Sequence, residues 1–136
     1  MSESALPSMR VDGQVALVTG AGRGIGRGCA LALAEAGAEV IAMSRTEAEL
    51  NEVVNEIQAA GGTATPVVCD VSDGAAVRQH ISEIQTLDIL VNNAGILRAS
   101  SLLELSEEDL DAMLQINCRG AVLVAQAAIQ IMERQG

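Results

Sequence analysis

The chain has 136 residues, 49% hydrophobic and 19% charged, with 18 acidic against 8 basic side chains and a formal net charge of −10. That is enough apolar material for one packed domain or part of one, which excludes a disordered chain. The acidic balance argues against a nucleic-acid partner or an anionic membrane surface, since both need a basic patch.

Residues 1–13 read as a flexible N-terminal segment without the apolar stretch of a secretory signal, and residues 14–136 as one domain. The run VALVT at 15–19 is apolar without alternation, as expected of a strand covered on both faces. A small-residue helix is predicted over 24–36, stopped by Gly37, and a second strand over 39–43. Thr46 with Glu49 has the spacing of a capping box and opens a helix to about residue 60, closed by Gly61-Gly62. A third strand is expected over 64–69 and a third helix over 73–85, with Ser72 as its N-cap. The segment DILVN, 88–92, reads as a fourth strand. Ser106 and Asp109 cap a last helical stretch towards residue 132, whose part AVLVAQAAIQIM should be buried against the sheet or another subunit. No uninterrupted apolar run approaches the ~18 residues of a membrane span, so no membrane contact and a cytoplasmic location are expected.

Phe, Tyr and Trp are absent, so the core should be aliphatic, and all 8 basic residues are arginine. Cys29, Cys69 and Cys118 fit neither a disulfide framework nor a metal clip and read as buried, reduced thiols. The single histidine, His80, reads as a solvated helix residue. Glu107, Glu108, Asp109 and Asp111 read as charge favoured by a helix start rather than as ligands. No metal site is expected.

The segment TGAGRGIG, Thr19 to Gly26, lies between the first strand and the first helix. There Gly20 permits a tight turn, Gly24 lets backbone approach a pyrophosphate, and Gly26 lets the helix pack closely on the strand. The free N–H groups of the helix start, with its dipole, suit phosphate. A P-loop is excluded because the chain has no lysine. This TGxxxGxG spacing within a βαβ unit resembles the short-chain dehydrogenases/reductases. Asp70 in CDV, Asn92-Asn93-Ala94-Gly95 after the fourth strand, and Asn117 in the last helix fall in the family's order and separations.

The resemblance implies an α/β, Rossmann-type, doubly wound parallel sheet. Its first four strands would be present in the order 3-2-1-4 and its C-terminal half missing. It also implies hydride transfer between a nicotinamide cofactor and a carbonyl compound or secondary alcohol. Gly20, Arg23, Gly24, the Ile25 backbone and Gly26 would hold the pyrophosphate side. Asp70 and Val71 would meet the adenine; Asn92, Ala94 and Gly95 would line the ribose and nicotinamide side; Asn117 would serve a proton relay. An acid at the end of the second strand would bind the ribose 2′-hydroxyl of NAD, but that place holds Ser44 and Arg45. Both can donate to a 2′-phosphate, with Arg23 approaching from the other side, so NADP(H) is expected over NAD(H). The family's catalytic serine, tyrosine and lysine would lie beyond Gly136. The complete protein would form homodimers or homotetramers. A non-catalytic dinucleotide-binding module and an assembly fragment are the alternatives.

Overall fold

The computed structural model describes residues 8–136, so much of the expected flexible segment lies outside the described residues. Within the remainder, Val11 is fixed: its N–H donates to the Ala36 carbonyl at 2.9 Å and its side chain packs on the core.

Four strands, β1 (Val15–Thr19), β2 (Glu39–Ser44), β3 (Thr63–Val68) and β4 (Ile89–Val91), form a parallel sheet ordered β3-β2-β1-β4. Successive side chains of a strand point to opposite faces, and here both faces are covered. Ala16, Val18, Val40 and Ala42 pack towards Ala30 of helix α1 (Gly24–Glu35) and Leu50, Val53 and Ile57 of α2 (Glu47–Ala59). Leu17, Ile41 and Met43 pack towards Val77 and Ile81 of α3 (Gly74–Ser82) on the other face. They also meet Val124, Ala128 and Ile131 of the C-terminal helix there. This is the doubly wound Rossmann-type arrangement, with the aliphatic core extended by fully buried Met43 and by Cys69.

Local chemistry sets the element ends. Helix α1 stops at Gly37, φ 102°, with Gly37 N–H on the Ala34 carbonyl and Ala38 N–H on that of Leu33, the two bonds of a Schellman motif. Helix α3 is shorter than expected, and Asp73, not Ser72, caps it: the carboxylate accepts from Ala75 N and Ala76 N, both at 3.1 Å. Ser72 is turned instead to Asp70 Oδ1. Asp73→Ala should therefore cost about 1 kcal/mol, read as a melting temperature lower by roughly 3–6 °C, with Ser72→Ala within about 1 °C.

The last helical stretch runs over Glu107–Gln135, but not as one regular helix. Helix α4 (Glu107–Met113), capped by Ser106 Oγ accepting from Asp109 N at 3.1 Å, passes into a π-helical segment, Leu114–Gly120, and then α5 (Ala121–Gln135). By length and composition this stretch is apolar enough to cross a membrane, with a mean hydropathy of 1.3 in its most apolar window. The absence of an uninterrupted apolar run therefore does not exclude a span-like helix. Val124, Ala127, Ala128 and Ile131 are buried under the sheet, whereas Val122 and Ile129 are exposed.

Of the cysteines, only Cys69 is buried; Cys29 is half-buried and Cys118 exposed. The π-helical segment turns Asn117 towards Ile96 and Gly120 against Val71, which leaves Cys118 on its outer side. His80 is half-buried rather than fully solvated.

Candidate functional site

In a parallel sheet the loops leaving the C-terminal strand ends gather at one edge, and a crevice opens where the strand order reverses. Here the chain order reverses between β1 and β4. The loops after β1, β2, β3 and β4 enclose a cavity of about 430 Å³ at that edge, within the size range of small-molecule sites.

The hub of the edge is Thr19, the last residue of β1 and fully buried. Its Oγ1 accepts from Asn93 N and Ala94 N, both at 3.0 Å. Asn93 returns the connection, its Nδ2 donating to the Thr19 carbonyl at 3.1 Å and the Gly20 carbonyl at 3.4 Å. Two loops far apart in sequence are thereby locked together. Thr19 and Asn93 both fall within motifs visible in the sequence, but their pairing is not legible there, because it depends on β4 lying beside β1.

The glycine loop is held on its other side by Ala21 N donating to the Met43 carbonyl at 3.1 Å. Gly26 is buried against the loop: a Cβ there would fall on the Gly20 carbonyl oxygen and on Asn93 Nδ2. It packs helix on strand and does not line the cavity. Gly24 has φ 58° and open space where a side chain would stand, so backbone at the start of α1 faces the cavity bare. Gly20, Arg23 and Ile25 line the cavity with it, Ile25 being 79% exposed.

At the end of β2, Ser44, Arg45 and Thr46 line the cavity, and Arg45 is exposed. Neither Arg45 nor Arg23 makes an ion pair among the described residues. Thr46 is the N-cap of α2 but makes no side-chain cap, so the capping box expected with Glu49 is not formed. Glu49 lies instead over Gly22, where a Cβ would come within 2.8 Å of Glu49 Oε2 and 3.1 Å of Ser44 Oγ.

After β3, Asp70 and Val71 join the wall. Asp70 Oδ1 accepts from Ser72 N at 2.9 Å and Ser72 Oγ at 2.8 Å, which orients the carboxylate. Burial pushes the neighbouring Cys69 thiol up from its ordinary pKa, and the charges of Asp70 and Asp73 push the same way. Cys69 is thus held as a neutral thiol, unsuited to nucleophilic work.

After β4, Ala94 and Gly95 line the cavity, while Asn92 turns away and donates to the Ala121 carbonyl at 2.8 Å. Asn117 is tied at both ends of its amide to the backbone of Ile96: Oδ1 accepts from Ile96 N and Nδ2 donates to the Ile96 carbonyl, both at 2.8 Å. Its side chain staples the loop after β4 to the π-helical segment, while Ile116 reaches the cavity wall. Gly120, at the end of that segment, is pressed against Val71, whose carbonyl would lie 2.9 Å from a Cβ there. The spacing of Asn117 is legible in the sequence; the role of Gly120 is not.

The donor set fits a nicotinamide dinucleotide. Bare backbone N–H groups at a helix start suit a pyrophosphate, two arginines that join no ion pair among the described residues suit a further phosphate, and one oriented carboxylate can accept from an amino or hydroxyl group.

The family model described as short chain dehydrogenase matches residues 14–136. The chain therefore belongs to the short-chain dehydrogenase/reductase family of oxidoreductases, whose members bind a nicotinamide dinucleotide. It is 40% identical over 124 residues to L-xylulose reductase from Mus musculus, covering 91% of this chain and 49% of that protein. The crystal structure of a short-chain type dehydrogenase/reductase from Mycobacterium marinum superposes with a TM-score of 0.90 at 38% identity, covering 94% of this chain and 53% of that one. A metagenomic short-chain oxidoreductase, solved in complex with NADP, superposes with a TM-score of 0.85 at 35% identity, covering 90% of this chain and 57% of that one. The chain spans about half the length of the curated relatives it matches.

Proposed function

We propose that the cleft binds NADP(H) in preference to NAD(H), and that residues 14–136 are the dinucleotide-binding Rossmann part of an oxidoreductase acting on a carbonyl compound or secondary alcohol. The observation that carries the preference is the end of β2, where Ser44 and exposed Arg45 line the cavity together with Arg23 of the glycine loop. A carboxylate at the strand end would repel a 2′-phosphate; a hydroxyl and two guanidinium groups donate to it. NADP-bound relatives of the same fold support the reading.

In this reading Gly20, Arg23, Gly24 and the Ile25 backbone take the pyrophosphate side, with Gly26 fixing the close packing that aims them. Asp70 and Val71 meet the adenine. Ala94 and Gly95 border the ribose and nicotinamide, with Asn92 bracing their loop against α5. A bound cofactor would donate hydride to a carbonyl compound or accept it from a secondary alcohol, and the complete protein would supply orientation and proton transfer. Asn117 serves the proton relay in this reading: its amide is anchored to the Ile96 backbone by one accepted and one donated bond, which leaves a second N–H and a lone pair on an exposed side chain. The acid/base roles fall to groups outside this chain, which has no tyrosine or lysine. Exposed Val122 and Ile129 on α5 suit assembly of the complete protein into dimers or tetramers.

Arg45→Asp should raise the Kd for NADPH by roughly 10- to 100-fold, the worth of a lost charge-assisted hydrogen bond and an added repulsion, and should spare or tighten NADH. Unchanged NADPH affinity would sink the preference. The same absence of tyrosine and lysine favours a second reading, a non-catalytic dinucleotide-binding module. A Tyr-x-x-x-Lys pair encoded downstream, with carbonyl-dependent NADPH consumption by the longer product, would exclude it. A chain that elutes only as aggregate or with a partner would point to an assembly fragment instead.

A further inference from the structure

Besides Asp70, Glu49 is the only acid lining the cleft among the described residues. Its placement is specific: half-buried at the third position of α2, it makes no capping bond to Thr46 and lies across Gly22, its Oε2 bordering the same small volume as Ser44 Oγ. Among the described residues it joins no ion pair, although Arg23 and Arg45 line the same cavity. Its charge is therefore available to whatever enters beside Ser44. A carboxylate there attracts a ribose 2′-hydroxyl, which can donate to it, and repels a 2′-phosphate, which carries close to two negative charges.

We infer that Glu49 is a specificity-determining residue that restrains the preference for the 2′-phosphorylated nucleotide set by Arg23, Ser44 and Arg45. This inference rests on the cofactor reading proposed above. Two guanidinium groups and one carboxylate then face the 2′ position together. The phosphorylated form is favoured, while the unphosphorylated form keeps an acceptor for its hydroxyl. Glycine at position 22 is what allows the carboxylate to lie there, since a Cβ would displace it.

The test compares 2′,5′-ADP with 5′-AMP, which differ only at the 2′ position, by calorimetric titration of the unaltered chain, Glu49→Gln and Arg45→Ala at low ionic strength. Glu49→Gln should tighten 2′,5′-ADP by about 3- to 10-fold, as expected for removing one partly solvated like charge, and leave 5′-AMP unchanged or weaker. Added salt should shrink the gain. Should Glu49→Gln melt early, Glu49→Ala gives the same comparison. An unchanged ratio of the two affinities, with Arg45→Ala still weakening 2′,5′-ADP, overturns this inference and leaves the cofactor reading standing. No binding of either nucleotide by the folded, unaltered chain overturns both.

Discussion

Gly26→Ala should lower the melting temperature by roughly 10 °C or more and abolish nucleotide binding, although it adds a single methyl group to a helix. The added Cβ would land on the Gly20 carbonyl oxygen and on Asn93 Nδ2, with the Gly20 carbonyl carbon at 2.7 Å. Two of those atoms are backbone of the glycine loop, which cannot swing aside as a side-chain tip can. Either α1 lifts from β1 or the loop leaves Asn93, and each breaks a part of the cleft. Overpacking costs about 1–3 kcal/mol when side chains can adjust, and the upper end applies here. Gly28→Ala is the internal control. Gly28 lies in the same helix with nothing within 4 Å of its Cβ position, so helix propensity alone acts and stability should rise by about 0.5–1 kcal/mol. Equal melting temperatures for the two variants would show that the packing of α1 on the loop is not what Gly26 secures.

The second large effect is at Thr19. Thr19→Val keeps the shape of the side chain and removes the acceptor of two backbone N–H groups, those of Asn93 and Ala94. Orphaning a buried donor costs about 1–3 kcal/mol, and less where water reaches it from the cavity as at half-buried Asn93 and Ala94, so a loss of roughly 1–3 kcal/mol for the pair is expected. Thr19→Ser, which retains the oxygen, should lose only about 1 kcal/mol through the missing methyl. Hydrogen exchange locates the effect: the amides of Asn93 and Ala94 should lose protection in Thr19→Val and keep it in Thr19→Ser. Protection retained in both variants would mean that Thr19 does not hold the loop after β4.

The architecture was largely legible because it rests on local chemistry. Non-alternating apolar runs marked β1 and β2, and Gly37 and Gly61 marked the helix stops through their positive φ. The glycine loop, Asp70 and the Asn92 to Gly95 segment fell at the strand ends where a parallel sheet opens. What was not legible depends on contacts between distant segments. Thr46 and Glu49 have capping-box spacing, but a helix start beside a bare glycine offers Glu49 another place, and it is found there. The π-helical segment has no local signature. It accompanies the ties of Asn117 to Ile96 and of Gly120 to Val71, which pull one stretch of helix towards two different loops. Asp73 capped α3 in place of Ser72 because Ser72 was already engaged by Asp70, a competition that composition cannot rank.

The cleft should prefer the 2′-phosphorylated cofactor, through Arg23, Ser44 and Arg45 at the end of β2 and in the glycine loop. Calorimetric titration of the unaltered chain with NADPH and with NADH, at matched ionic strength, tests that in one experiment. It should show saturable binding at one site per chain, with NADPH tighter by about tenfold or more and its advantage narrowing as salt screens Arg23 and Arg45. NADH binding as tightly as NADPH, or more tightly, would contradict it.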